Sequence, residues 1–385
     1  MKSVLRSIAS LRLTVPLLAA AMLLVYFGTI AQSEQDILAV QRDYFRCFVI
    51  WSSGMTLFPG YRIKFPVQIP VPGGYVIGGL MLINLLAAHA VRFKLSWKRV
   101  GIIAIHLGII LILLGELFTG MFAVEMQMAI QEGQTNSVAQ DVRHPELIVI
   151  DTSNPLHDTL IAVPQSRLQT GKVITDSRLP FEIRVERYYR NSRLVGPMEK
   201  VPTALLRATA GQHANRLIAE LPDELSLEKV NFPSAYLRLS RSDQDLGLWL
   251  VSIHLTEQTI KVGDKTYRIG LDFRRYQKPY SLTLVDFEHD KYPGSNIARQ
   301  YASRVILRDP QRNERREAEI YMNHPLRYRG ETFYQAGAPM ADTTVLQIVD
   351  NPAAILPYIA CILVGGGMIL HFVPNLVTFL RRRQA

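Results

Sequence analysis

The sequence predicts a polytopic α-helical membrane protein with four transmembrane helices and a large extracytoplasmic antiparallel β domain between helices 3 and 4. Three observations carry this. Four apolar runs, Leu13–Ala31, Tyr75–Val91, Trp97–Met121 and Ile355–Phe379, approach or reach bilayer-spanning length. Basic residues flank the runs on one side in an alternating sense. The long stretch from Phe122 to Pro352 instead carries short alternating segments bounded by Pro, Gly, Asn and Asp. These divide the 385 residues into 1–31, 32–74, 75–121, 122–352, 353–379 and a basic tail, 380–385.

The net charge of +10 suggests nucleic acid until its distribution is read. Lys2, Arg6, Arg12, Arg92, Lys94, Lys98, Arg99, Arg381, Arg382 and Arg383 all flank apolar runs, with no acidic residue among them, and these ten account for the whole excess. Such a pattern marks cytoplasmic loops, not a phosphate-binding patch, so nucleic acid is excluded as a partner and the bilayer is implied. Both termini are expected in the cytoplasm, with 122–352 on the outer, periplasmic side of the inner membrane.

The first run resembles a signal peptide at its start, but it continues through Tyr26 and Phe27 without a convincing small-residue cleavage site, so it is read as a retained helix. Pro16 falls near its beginning, where a missing amide donor costs little. Residues 32–74 form an external loop whose FRCFVIWSSGMTLFPGY is too short and too interrupted by proline to span, and it is expected to lie in the membrane interface. The second and third runs form a tight helical hairpin with a basic turn. In the third, Gly101, Gly108 and Gly115 repeat every seven residues and make one small stripe for close helix contact, with His106 on a different face. In the fourth run Pro374 is expected to kink or end the helix near its inner end.

The outer segments ELIVI, FEIRVERYY, AYLRLS, LWLVSIHL, TYRIGLDFRRY, YSLTLVDFEHD, SRVILRD and ETFYQAGA read as strands, and VGDKTYRIG as a hairpin turn entering one. Their number and spacing favour an antiparallel sandwich or barrel-like domain.

An ionisable residue inside a span is a functional candidate because hydrocarbon offers it no partner. His106 and His371 lie roughly 10 and 15 Å from the cytoplasmic boundary at about 1.5 Å per residue. Two imidazoles at similar depth on antiparallel helices suit axial ligation of one haem iron, and Gly367, one turn from His371, leaves room for a flat macrocycle. The plain alternative is that each ring bonds a carbonyl or serine in the bundle. His89 sits close enough to the surface to snorkel, and stays open as a further candidate partner of His106. Glu116, near an outer helix end, either reaches the interface or assists a proton or cation. His144, His157, His213, His254, His289 and His324 lack metal-site spacing and read as surface or strand residues. Cys47 and Cys361 form no motif, and pairing between them requires a chance approach. With no nucleophile elbow, P-loop or HExxH, no catalytic residue is assigned.

The chain resembles the ResB (CcsB) family of system II cytochrome c maturation. The pieces that carry the resemblance are LTVPLLAAAMLLVYFGTIAQ, HLGIILILLGELFTG, EMQMAIQEGQ, VDFEHDKYPGSNIARQYASRVIL, MNHPLRYRGETFYQAG and VDNPAAILPYIACILVGGGMILHF, while residues 150–270 match only in general β character. The resemblance implies a subunit that, with a CcsA-type haem lyase subunit, carries reduced haem b across the membrane. It then presents that haem to the CxxCH of apocytochrome c, a thioredoxin-like protein keeping the acceptor thiols reduced. It carries a haem-pairing transmembrane histidine over to His106, with a CcsA histidine as its family partner; the depth argument keeps His371 as another. The WWD segment and external histidines of CcsA are absent, so the chain is expected to be a subunit of the haem lyase and not a complete synthase. Two other readings stay open: a stand-alone b-type electron-transfer subunit, and a membrane scaffold without haem.

Overall fold

The computed structural model describes all residues except 1, 34, 36, 59–60, 93–95, 155, 197–198, 200–205, 225–229, 242–243, 292–297, 341 and 385. It resolves into two units, one comprising Met1–Val124 and Asp350–Ala385, the other Glu125–Glu224 and Glu228–Val349.

The first unit contains four long helices: α1 Leu11–Ala31, α2 Gly74–Arg92, α3 Val100–Phe122 and α4 Leu356–Gln384. All four are long and apolar enough to cross a membrane. Ser10 caps α1, its hydroxyl accepting the Arg12 amide at 3.2 Å. Of the kink or end expected at Pro374, the end does not occur, and α4 runs on to Gln384. The Asn375 side-chain amide donates to the His371 carbonyl at 2.8 Å, the kind of side-chain help that lets a membrane helix carry a proline.

The expected interfacial segment is an extended hairpin, β1 Val49–Phe58 paired antiparallel with β2 Tyr61–Pro72. Pro66, Pro70 and Pro72 are tolerated because the sheet has only two strands, leaving each with an open edge where no amide donor is needed. Trp51, Phe58, Tyr61 and Val67 are exposed on it.

The tightest helix contact is between α3 and α4. A Cβ on Gly101 would lie 2.7 Å from the Gly367 carbonyl oxygen, and one on Gly108 would lie 2.8 Å from that of Ala360. Gly115 faces Leu356. The seven-residue glycine stripe is therefore a backbone-to-backbone seam, the close approach that holds helices together where the surrounding solvent is itself apolar.

The second unit is built from antiparallel strands. Its first part holds β3 Val124–Gln131, β4 Thr135–Asp151, β5 Thr159–Pro164, β6 Val173–Ile174, β7 Glu182–Tyr189, β8 Ser192–Leu194 and β9 Ile218–Glu220. Next come β10 Ser234–Arg241, β11 Gln244–Ser252, β12 Gln258–Val262 and β13 Lys265–Lys291. The last are β14 Ala298–Asp309, β15 Glu314–Tyr321, β16 Leu326–Tyr328, β17 Glu331–Met340 and β18 Thr343–Asp350.

A ten-stranded sheet runs β15-β14-β13-β4-β3-β18-β17-β16, with β12 on β13 and β5 on β4, and a four-stranded sheet runs β11-β10-β7-β6. Alternate residues of the two sheets meet in a common core: Leu147 and Val149 of β4, Ile183 and Val185 of β7, Leu237 and Leu239 of β10, Tyr267 and Ile269 of β13. The turn expected in VGDKTYRIG joins β12 to β13, with Gly263 at φ +63°. TYRIGLDFRRY and YSLTLVDFEHD, expected as two strands, form one. The ladder with β4 breaks between Gln277 and Leu282, around Pro279, so the proline makes an irregularity and not an end.

One buried carboxylate pins the turn after β14. Asp309 accepts from the Tyr328 hydroxyl at 2.7 Å, the Arg329 guanidinium at 2.6 Å and the Gln311 amide at 3.0 Å. Burial alone would raise its pKa, but these donors hold it at about 2.

Two outcomes follow. Gly108→Leu forces α3 and α4 apart and should cost about 1–3 kcal/mol, as overpacking does, read as earlier thermal unfolding of the detergent-solubilised chain. Because the folded pKa of Asp309 is depressed, its contribution is complete above its ordinary value and is lost as pH falls through about 2. Between about pH 4 and pH 2 the outer unit should lose thermal stability, and Asp309→Asn should flatten that slope while lowering stability at pH 5.

Candidate functional site

Position 106 stands about 140° around α3 from Gly101, so a seam that turns the glycines to α4 turns His106 away from it. The ring instead meets His89 of α2: the two centroids are 5.1 Å apart and the planes cross at 80°. Both residues are half-buried. The His89 Nδ1 lies 2.9 Å from the Leu85 carbonyl oxygen, and a carbonyl only accepts, so Nδ1 is the donor and the lone pair of the neutral ring is at Nε2.

His371 is elsewhere. Its backbone nitrogen and Cβ pack on Gly101, and its ring meets that of the adjacent Phe372 at 5.0 Å. The gap expected at Gly367 for a macrocycle is filled by α3, since a Cβ there would lie 2.7 Å from the Gly101 carbonyl oxygen and 2.9 Å from Ile105. Similar depth does not bring His106 and His371 ring to ring.

α2 is held to the start of the chain by Asn84, which is only 4% exposed. Its amide donates to the Ile8 carbonyl at 2.6 Å, and its oxygen accepts from the Thr14 hydroxyl at 2.8 Å. At the other end of the helices, Arg46 donates to Glu116 at 3.2 Å, which supplies the partner that Glu116 lacked in the sequence. The neighbouring Cys47 thiol donates to the Asp43 carbonyl; burial pushes its pKa up and Asp43 adds to this, so it is a poor nucleophile. Cys47 and Cys361 are both free.

The outer histidines serve the fold. His213 and His254 donate through Nε2 to the carbonyls of Thr256 and Ser192, each at 3.0 Å. His157 lies 3.3 Å from Asn154, and His324 stacks on Tyr321. His144 pairs with Asp141 at 2.7 Å, and that hydrogen bond raises its pKa. The His289 side chain falls outside the described residues. Among the described residues no three His, Cys, Asp or Glu converge as a metal site.

Can the two membrane rings seat a haem? Two imidazoles on opposite sides of one metal, each at about 2 Å, put their centroids about 6 Å apart. At 5.1 Å and edge-to-face, the pair is short of that by about one ångström. The donor types fit a haem iron; the present spacing is that of rings in contact, with no plate between them.

The β unit also holds a buried ion pair that sequence reasoning missed. Lys278 donates to Glu331 at 2.6 Å, each side chain being 10% exposed, and lies 3.4 Å from the Met126 sulfur. The Tyr280 hydroxyl donates to the other Glu331 oxygen. Lys278 and Tyr280 flank Pro279 in β13, and the only hint was a lysine and a proline within an apolar alternation.

The sequence model of the ResB-like family matches residues 90–188 and 249–345, which include His106, Lys278 and Glu331. Protein NrfI of Wolinella succinogenes is 30% identical over 116 residues, covering 30% of this chain and 13% of NrfI. Cytochrome c biogenesis protein CcsB of Synechococcus sp. strain WH7803 is 45% identical over 78 residues, and that of strain CC9605 is 42% identical over 77; each match covers 20% of this chain and 17% of the relative. The matches thus take in less than a fifth of each relative's own length.

Both partners of the buried pair fall in the matched segments. Removing one leaves an uncompensated buried charge, so Glu331→Gln or Lys278→Met alone should cost the outer unit about 3–5 kcal/mol, and the double replacement less than either. Chemical denaturation of the three variants measures this.

Proposed function

The chain belongs to the ResB-like family, and from that premise we propose that it is the haem-handling subunit of a membrane cytochrome c synthase. With a CcsA-type haem lyase subunit it transports haem b across the membrane and presents it for thioether attachment to the CxxCH of apocytochrome c. The haem is cargo, held transiently. His106 is an axial ligand to its iron, and His371 is the second candidate from the depth argument. The observation that carries this is a histidine placed by a glycine seam in an apolar helix, within the family match.

The chemistry is consistent with that role. Thioether formation needs reduced iron and free acceptor thiols, and an axial imidazole keeps the iron coordinated while the haem is in transit. In this reading bond formation belongs to the partner subunit, and this chain holds the cargo. In this reading both termini lie in the cytoplasm and the β unit on the periplasmic side of the inner membrane, which the basic flanks, Arg12, Arg99 and Arg381–Arg383 among them, support. There the β unit contacts the CcsA-type subunit, apocytochrome c, or both, and a thioredoxin-like protein keeps the acceptor reduced.

The stand-alone b-type reading is supported by one observation, that two imidazoles meet within this chain. It differs in predicting that the isolated chain, without a partner, shows a bis-imidazole spectrum. His106→Ala in the purified complex should lower the haem-to-protein ratio about tenfold or more, the scale on which metal sites respond even to loss of an outer partner. Added imidazole should restore part of it. Full haem loading in the variant overturns the ligand assignment.

A further inference from the structure

We infer that the β14–β15 turn of the outer unit, with Arg308, Arg312, Arg315 and Arg316, is a docking site for the phosphate of anionic phospholipid headgroups. This goes beyond the haem-handling reading and is independent of it, needing only that the four apolar helices cross a membrane.

The turn collects positive charge that the fold does not neutralise. Four arginines fall between residues 308 and 316, against Asp309 and Glu314. Both carboxylates are engaged: Asp309 is buried on Tyr328 and Arg329, and Glu314 holds Arg316 at 3.2 Å. The next acid along, Glu317, is turned to Arg304. Among the described residues no carboxylate pairs with Arg308, Arg312 or Arg315, all of them exposed. Exposed arginines elsewhere in the unit, such as Arg178, Arg190 and Arg193, each hold one.

Arg308 and Arg315 are moreover directly opposite each other in the ladder between β14 and β15. Like charges so placed repel and cost stability, a cost that an anion lying between them removes. Arg312 and Arg316 converge from the same turn on the Tyr328 ring, 5.8 and 5.7 Å from its centre. The Asp309 carboxylate also accepts the amides of Gln311 and Arg312, which fixes the backbone between these side chains. Guanidiniums on a fixed frame suit an oxyanion such as phosphate, which they bind in bidentate fashion.

The bilayer is the phosphate source that the topology favours. Tyr328 packs on Tyr280, ring centres 5.4 Å apart, and Lys278, two residues before, reaches Glu331 and Met126. Met126 is near the start of β3, which follows directly on α3. The turn is therefore at the end of the outer unit where its chain arrives from a membrane helix. A short covalent link keeps the local concentration of lipid high, so a modest attraction per arginine suffices.

The test uses the full chain in bilayer discs of phosphatidylcholine alone or with added phosphatidylglycerol, and reads hydrogen exchange at residues 308–316 with β7 as internal reference. The anionic lipid should slow exchange in the turn, leave β7 unchanged, and lose its effect at high salt. Arg308→Gln and Arg315→Gln should each reduce the slowing about fivefold, the scale for one basic residue at an anionic surface. In detergent both variants should unfold at the same temperature as the unaltered chain or higher, since the like-charge pair is gone.

A turn that exchanges alike in the two lipids overturns the inference. Inorganic phosphate that protects the turn equally well in phosphatidylcholine discs makes the site one for a soluble anion and overturns it too, as does protection that appears only with a partner protein. Earlier unfolding of either variant in detergent assigns the arginines to the fold and not to lipid. Haem enters none of these readouts, so their failure and that of the haem-handling reading are separate results.

Discussion

The glycine seam between α3 and α4 is the contact on which the membrane unit depends. Lipid tails are as apolar as leucine, so helices there gain little by burying apolar side chains and are held by close packing. Gly101, Gly108 and Gly115 bring α3 against Gly367, Ala360, Val364 and Leu356 of α4. Among the described residues, Gly367 alone of the three consecutive glycines in α4 takes part; a Cβ on Gly365 or Gly366 would meet no atom within 4 Å. Once that seam is made, the rotation of α3 about its axis is set. His106 then has one direction to face, and α2 lies in it.

A different constraint governs the outer unit. A strand as long as β13 crosses from one part of the sheet to another and must change register on the way. It does so at Pro279, where an amide donor is missing in any case. The flanking Lys278 and Tyr280 close the irregularity by binding Glu331 of β17. That ion pair joins three segments far apart in the chain, EMQM through Met126, the middle of β13, and ETFYQAG through Glu331. A salt bridge so buried is a costly way to gain stability, but its geometry admits one register and disfavours the next.

What the sequence revealed divides along these same lines. Hydropathy is local, so the four apolar helices were legible, and so was the glycine stripe with its histidine on another face. Strand identity was legible wherever alternation was clean. The pairing of His89 with His106 was not, because depth along the membrane normal says nothing about azimuth. His371 matched His106 in depth but lies on the glycine side of α3. His89 stayed open beside it, and residues equally far from the turn of an antiparallel hairpin lie at one level. Asn84 carried a signal that was passed over: a lone amide in an apolar run needs a partner as much as a histidine does. The hairpin at residues 49–72 was hidden by its prolines, which argue against a central strand and say nothing against a two-stranded ribbon.

The two joints of the membrane unit differ in kind. The α3–α4 seam is continuous over two helical turns and more, and it cannot open without losing backbone contact along its length. The Asn84 tie acts at a single level and moves with α2 and the chain start together. Near the opposite end of α2, the Tyr75 amide donates to the Cys47 carbonyl, and Tyr75 lies against Gly120 of α3. The adjacent Arg46 reaches Glu116 of the same helix. The α2–α3 hairpin is thus fastened at the end away from its turn.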